Sequence, residues 1–291
     1  MKLEGKRVLV FGTGISGIGA ADLLKRVGAS VVLYDGNEKL NPREILDKLA
    51  DKDGVTVILG ELKKDVIASL DLAVLSPGVP TDLPLVKELK AAGIPLWGEV
   101  ELAYQMGQGR VLAITGTNGK TTTTALLGQI MGDYLESVYV VGNIGTPYTS
   151  VALEMKPETV TVAEISSFQL ETIEEFHPQV SAILNITEDH LNRHHTMEEY
   201  IRVKERITEN QTPEEVCVLN YEDEVLRNFG ESLSCRPLYF SSLRELPQGI
   251  FLRGEEFILR WEGQEISLLK TGEQQLLGAH NYENIMAAMA M

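Results

Sequence analysis

The sequence predicts an α/β fold built on parallel sheets. Three observations carry that expectation. Short apolar runs alternate with stretches of helical pattern along most of the chain. Two of those runs lead straight into glycine-rich turns that open helices, at residues 12–17 and 116–119. Several other runs end in an acid, an amide or a histidine. In a parallel sheet the carboxyl ends of the strands share one edge, so such groups gather there.

In chain order, residues 7–12, RVLVFG, read as a strand that runs into GTGISGIGA and a helical pattern to about residue 27. Residues 30–35, SVVLYD, form a second strand ending in Asp35. Gly12, Gly14 and Gly17 match G-x-G-x-x-G, and Asp35 stands where a ribose-binding acid belongs. This is a Rossmann-like start. The same geometry holds a dinucleotide or any nucleotide diphosphate on the helix N-terminus. Strands at 55–59 and 72–75 follow, with a helix over 42–50. The turn SPGVP, residues 76–80, places Gly78 at a strand's carboxyl end. A helix over 83–92, a strand over 94–97 and a helix over 99–106 lead to GQG at 107–109, the linker candidate. A first domain is expected at residues 1–107.

The second domain, residues 108–291, opens on VLAITGTNGKTTTT. An apolar strand over 111–114 leads into Gly116, Thr117, Asn118, Gly119, Lys120, Thr121 and Thr122, with a helix to about residue 131. This is a P-loop-type mononucleotide-binding arrangement. Backbone amides cradle phosphates, Lys120 supplies a point charge, and the Thr121 hydroxyl reaches a magnesium ion. Ile114 stands where the full pattern has its first glycine, so the loop is a shortened variant. Strands over 138–141, 159–165, 180–186 and 216–220 are expected, with a helix over 197–210. Residues 237–270 alternate, which predicts an added antiparallel β region of hairpins. A helix starts near residue 282 and carries no stop signal at Met291, so a further, C-terminal domain is expected beyond this chain.

The 44% hydrophobic and 23% charged content is that of a globular protein. A formal net charge of −16 argues against a nucleic-acid partner, while a glycine loop with Mg²⁺ still holds phosphate locally. No apolar run has spanning length and MKLE is not a signal peptide, so no membrane partner is expected. Two cysteines, Cys217 and Cys235, suit reduced thiols in a cytoplasmic protein.

Asn143, Glu164, Asp189 and His190 leave their strands at the same edge as the phosphate loop. Glu164 beside Thr121 makes a hard oxygen site for Mg²⁺, and His190 offers a nitrogen to a second ion. His190, His194 and His195 lack the HExxH spacing of a zinc site. Ser166 and Ser167 have no nucleophile elbow around them. On the residues alone, Lys204 is a solvated surface lysine.

Together GTNGKTT (116–122), GNIG (142–145), EISSFQL (164–170), NITEDHLNRH (185–194), Tyr200 with Lys204, and GAHNYEN (278–284) resemble the Mur ligase family, the ATP-dependent amino-acid ligases of peptidoglycan precursor synthesis. The resemblance covers nearly the whole chain. GTGISG, SPGVP and GEVELA (98–103) point within that family to the members that add D-glutamate to UDP-N-acetylmuramoyl-L-alanine. What the resemblance implies is an acyl-phosphate mechanism with ATP and two Mg²⁺ sites. Lys120, His190 and Lys204 are then catalytic, and Thr121, Glu164, His190 and a carbamylated Lys204 hold metal. The ATP site takes Gly116 to Thr122 and Asn281. Gly14, Ile15, Ser16, Asp35, Gly78, Asn143, Gln169 and His190 take the UDP substrate. A monomer is expected, and a chain without the family's third domain is expected not to ligate. Asn192 replaces the acid usual in the family's DHLDRH version. A folylpolyglutamate synthase-like or L-alanine-adding ligase, and an NAD-dependent oxidoreductase, are the competing readings.

Overall fold

Uninterrupted apolar runs bury both faces of a strand, and parallel sheets are built from such strands. The computed structural model, which describes residues 2–274, 276, 278 and 280–291, follows that rule in two units. The first comprises Met1–Gln108, Thr146–Lys156 and Glu171–Phe176. Its strands are β1 (Arg7–Phe11), β2 (Ser30–Asp35), β3 (Thr56–Leu59), β4 (Leu72–Leu75) and β5 (Leu96–Gly98), paired in the order β3-β2-β1-β4-β5. All pairings are parallel. Val8, Leu9 and Val10 are fully buried at the centre. Strand order reverses between β1 and β4, and such a reversal leaves a crevice at the strands' carboxyl ends. The glycine turn after β1 and the SPG turn after β4 both lie there.

The later segment Glu171–Phe176 belongs to this unit, tied in by polar groups. Glu101 is fully buried and its carboxylate accepts the backbone N–H groups of Glu174, Glu175 and Phe176 at 2.8, 3.0 and 2.9 Å. The Trp97 indole donates to Glu174 Oε2 at 2.7 Å.

The second unit comprises Gly109–Gly145, Pro157–Leu170 and His177–Met291. Its strands are β6 (Arg110–Thr115), β7 (Val138–Gly142), β8 (Val160–Glu164), β9 (Val180–Ile183), β10 (Val216–Asn220), β11 (Arg236–Ser241), β12 (Gly249–Arg253), β13 (Glu256–Trp261) and β14 (Gln264–Lys270). They form one nine-stranded sheet in the order β14-β13-β12-β11-β10-β9-β6-β8-β7. The hairpin expectation holds for β12, β13 and β14, which pair antiparallel. It does not hold for β11, which lies parallel on β10, nor for the parallel pairing of β11 with β12. The crossover that makes β11 parallel is the helix Glu224–Gly230, whose cap Asp223 accepts from the N–H groups of Val225 and Leu226. The helix expected over 42–50 ends at Leu46, and that over 197–210 gives way to a 3₁₀ turn at Arg206–Thr208. The helices Lys120–Tyr134 and His280–Ala290 close the core over Leu112, Ile114, Val162, Val218 and Phe240. Among the described residues no helix is long and apolar enough to cross a membrane.

Candidate functional site

In the second unit the loop after β6 is held from several sides. Gly116 (φ +147°) and Gly119 (φ +84°) take backbone conformations that disfavour side chains. A Cβ on Gly119 would meet Asn284 Oδ1. Asn185, just past β9, works like a rung of backbone. Its Oδ1 accepts from Asn118 N–H at 2.8 Å and its Nδ2 donates to Asn118 O at 3.0 Å. Thr117 Oγ1 accepts from Thr187 N–H at 3.0 Å and lies 3.1 Å from the Tyr200 hydroxyl. The loop is thereby fixed with the amino end of the helix Lys120–Tyr134 behind it, an arrangement that suits an anion.

Two lysines converge on one carbonyl of that loop. Lys120 Nζ donates to Gly116 O and Thr117 O, both at 2.9 Å, and the buried Lys204 Nζ donates to Gly116 O at 2.8 Å. Lys204 Nζ also sits 4.7 Å from the Tyr200 ring centroid. Burial pulls Lys120 below the usual lysine range, against the opposing charges of Glu164 and Asp189. Burial, reinforced by the Lys120 ammonium and opposed by Asp189, brings Lys204 down to about 7. The expectation of a solvated Lys204, read from its residue pattern alone, is therefore wrong. Tyr200, Val203 and Lys204 form the inward face of the helix Met197–Glu205.

At the end of β8, Glu164 is 1% exposed. Its Oε2 accepts from Thr121 Oγ1 at 2.9 Å and its Oε1 from Asn143 Nδ2 at 3.0 Å. Strand order explains the trio, since β8 lies between β6, which leads to Thr121, and β7, which leads to Asn143. A buried carboxylate beside a hydroxyl is a donor set that fits a hard divalent cation. A buried amine near pKa 7 is substantially uncharged at neutral pH, the form that adds CO₂ to give a carbamate, so Lys204 fits that modification. His190 differs in character. It is a non-glycine residue at φ +53°, its side chain is 49% exposed, and its ring lies 4.9 Å from that of Phe168. Among the described residues no group of three or more His, Cys, Asp or Glu side chains gathers around a point.

A cavity of about 320 Å³ opens beside the loop, bordered by Asn118, Gly119, Thr122, Asn281 and Asn284 and extending to Phe240. Asn284 Nδ2 donates to Asn281 Oδ1 at 2.9 Å. Gln169 is turned to local use, its Oε1 accepting from Ser166 N–H at 2.8 Å and Ser166 Oγ at 2.9 Å.

In the first unit, Gly14 caps the helix Ile15–Arg26, Ile15 is 83% exposed at the tip of the turn, and Ser16 follows it. A Cβ on Gly17 would stand 1.8 Å from Gly12 O, so this helix meets the turn only through a glycine. Thr13 Oγ1 donates to Asp35 Oδ2 at 3.0 Å, which fixes the acid at the end of β2 beside the turn. Ser76 N–H donates to Phe11 O at 3.0 Å, joining the turn that carries Gly78 to the end of β1. Asn185, Asn284 and Glu101 have roles that a single sequence does not announce; each acts by pinning backbone or a neighbouring amide.

A fixed glycine loop with a strand-end carboxylate on a mixed sheet, and a separate glycine turn on a parallel sheet, define an α/β protein with two glycine turns at strand ends. Residues 114–291 match the Mur ligase middle domain, and residues 6–98 match the Mur ligase MurD-like N-terminal domain. The chain belongs to the Mur ligase family. It is 55% identical over its full length to the UDP-N-acetylmuramoylalanine–D-glutamate ligase of Lachnoclostridium phytofermentans and 54% to that of Lachnospira eligens. It spans 64% of the length of each. Solved structures of similar fold include the UDP-N-acetylmuramate:L-alanyl-γ-D-glutamyl-meso-diaminopimelate ligase of Neisseria meningitidis, 17% identical with a TM-score of 0.61 over 98% of this chain and 92% of that one. Another is the UDP-N-acetylmuramate–alanine ligase of Thermotoga maritima, 21% identical with a TM-score of 0.53 over 98% of this chain and 64% of that one.

Proposed function

We propose that this chain supplies the nucleotide-sugar-binding and ATP-binding parts of a ligase that joins D-glutamate to UDP-N-acetylmuramoyl-L-alanine at the expense of ATP, in peptidoglycan precursor synthesis in the cytoplasm. The observation that carries the reading is the convergence of Lys120 and Lys204 on the Gly116 carbonyl, with Thr121 and Glu164 paired in the same unit. The relatives named above support the choice of amino acid and sugar nucleotide.

The proposed domains are residues 1–107 for the UDP substrate and 108–291 for ATP, acting as a monomer. Gly14, Ile15, Ser16, Asp35 and Gly78 take the uridine diphosphate end. Asn143 and Gln169 serve the muramoyl portion, together with His190. In the second domain the amides of Gly116 to Thr122 and the Lys120 ammonium hold the β- and γ-phosphates, and Asn281 serves the adenine end. Thr121 and Glu164 would hold one Mg²⁺, and His190 and carbamylated Lys204 a second. When bound, those ions neutralise the charge of the phosphates and of the attacking carboxylate.

The reaction is positioning plus charge stabilisation. A carboxylate oxygen of the L-alanyl group attacks the γ-phosphorus, the bond to the β–γ bridging oxygen breaks, and ADP leaves an acyl phosphate. The amine of D-glutamate then attacks the acyl carbon. The tetrahedral intermediate expels inorganic phosphate and the amine loses a proton. Lys120 keeps its ammonium on the transferring phosphoryl group, while the Asn185 clamp holds the loop's amides in register.

Titration calorimetry of the chain with UDP-N-acetylmuramoyl-L-alanine, UDP and NAD tests the reading. Saturable binding of the UDP compounds with none for NAD is expected, and the opposite preference would overturn it in favour of an oxidoreductase.

A further inference from the structure

The cavity beside the phosphate loop has one acidic end. Glu283, in the first turn of the helix His280–Ala290, is the one ionisable side chain among the described residues that line it. The position of Glu283 is set by two donors. Asn220 Nδ2 donates to its Oε2 at 3.1 Å and Ser242 Oγ to its Oε1 at 2.8 Å. Asn220 ends β10 and Ser242 follows β11, so the carboxylate is pinned where those two strands finish.

That position defines which part of a nucleotide it meets. The phosphate loop follows β6, and the sheet continues β6, β9, β10, β11. At one strand spacing per step the loop and the end of β11 are about 14 Å apart along the edge. The cavity runs the same way, from Gly119 and Thr122 past Leu184 and Asn185 to Phe240 and Glu283. A nucleoside triphosphate with its phosphates on the loop therefore directs its base toward Glu283. Two of the other polar side chains of the lining are already committed. Asn185 is clamped on Asn118, and Asn284 donates to Asn281. Each oxygen of the Glu283 carboxylate has one donor and room for a second.

We propose that Glu283 is a specificity-determining residue that selects a base carrying an exocyclic amine, accepting from the adenine 6-amino group. This deepens the ATP-site reading and rests on it. A base that presents a carbonyl oxygen in place of the amine would set acceptor against acceptor, which costs more than the loss of one hydrogen bond.

The test is competitive calorimetric titration of the chain with ATP, ITP and 2′-deoxy-ATP in the presence of Mg²⁺, repeated with Glu283→Gln. In the unaltered chain ATP is expected to bind about tenfold more tightly than ITP. 2′-Deoxy-ATP is expected to match ATP to about twofold. Glu283→Gln, whose amide can donate to a carbonyl oxygen, is expected to bring the ATP-to-ITP ratio to about one. Equal binding of ATP and ITP by the unaltered chain would overturn the proposal without any variant. So would rejection of 2′-deoxy-ATP with ITP accepted, because Glu283 would then serve the ribose. Binding of none of the three would instead refute the ATP site itself.

Discussion

Replacing Lys204 by methionine removes a buried amine of similar length and should change how stability responds to pH. With a folded pKa of about 7 and an unfolded value of 10.5, the folded state gives up the proton first. Between those values the unfolded chain binds more protons than the folded one, so stability rises with pH. The contribution is complete above about pH 10.5 and is lost as pH falls toward 7, below which it is constant. Each unit within the window is worth about 1.4 kcal/mol, so the step from pH 7 to pH 9 should add roughly 2 kcal/mol after allowing for partial protonation at pH 7. Lys204→Met should lack that gain, and the difference between the two proteins cancels every other titrating group. Urea unfolding on a Trp97→Phe background, in CO₂-free buffer, reads the second unit through Trp261, since these are the chain's two tryptophans. Identical pH slopes for the two proteins would show that Lys204 is an ordinary hydrated ammonium and not a desolvated amine. Bicarbonate added at pH 9 should stabilise only the protein that retains Lys204.

Other perturbations separate the parts. Gly17→Ala drives a Cβ into Gly12 O, so UDP-sugar affinity should fall at least about tenfold with a stability loss of about 1–3 kcal/mol, read by calorimetry and melting. Glu164→Gln replaces one acceptor oxygen with a donor. It should weaken ATP binding about tenfold with Mg²⁺ present and leave metal-free nucleotide binding within about twofold, as read by paired titrations. Glu101→Ala orphans three backbone N–H groups, so the first unit should lose about 3–5 kcal/mol, with amide exchange at Glu174, Glu175 and Phe176 accelerated first.

Much of the fold was legible because its signals are local. RVLVF and VLAIT are apolar without interruption, and the glycine turns follow them directly. The loop Gly116 to Thr122 and the helix behind it stand where the residues placed them. Residues 237–270 were less legible. Alternation there arises from one solvated face, and it does not tell a parallel strand such as β11 from a hairpin. Lys204 was illegible on residue pattern alone, since three residues of a charged helix turn inward and the Gly116 carbonyl that receives it lies 88 positions away. The same holds for Glu101, which looks like a surface acid and is fully buried on three amides. Partners distant in sequence, rather than local propensity, decide such residues.

Crossed titrations decide whether the two glycine turns take two different nucleotides, as proposed. UDP-N-acetylmuramoyl-L-alanine and Mg²⁺-ATP are each titrated into the unaltered chain, Gly17→Ala and Lys120→Ala. Gly17→Ala is expected to lose only the UDP-sugar and Lys120→Ala only ATP, with neither ligand displacing the other. Competition between the two ligands for one site, or loss of both in either variant while the fold persists, would contradict it.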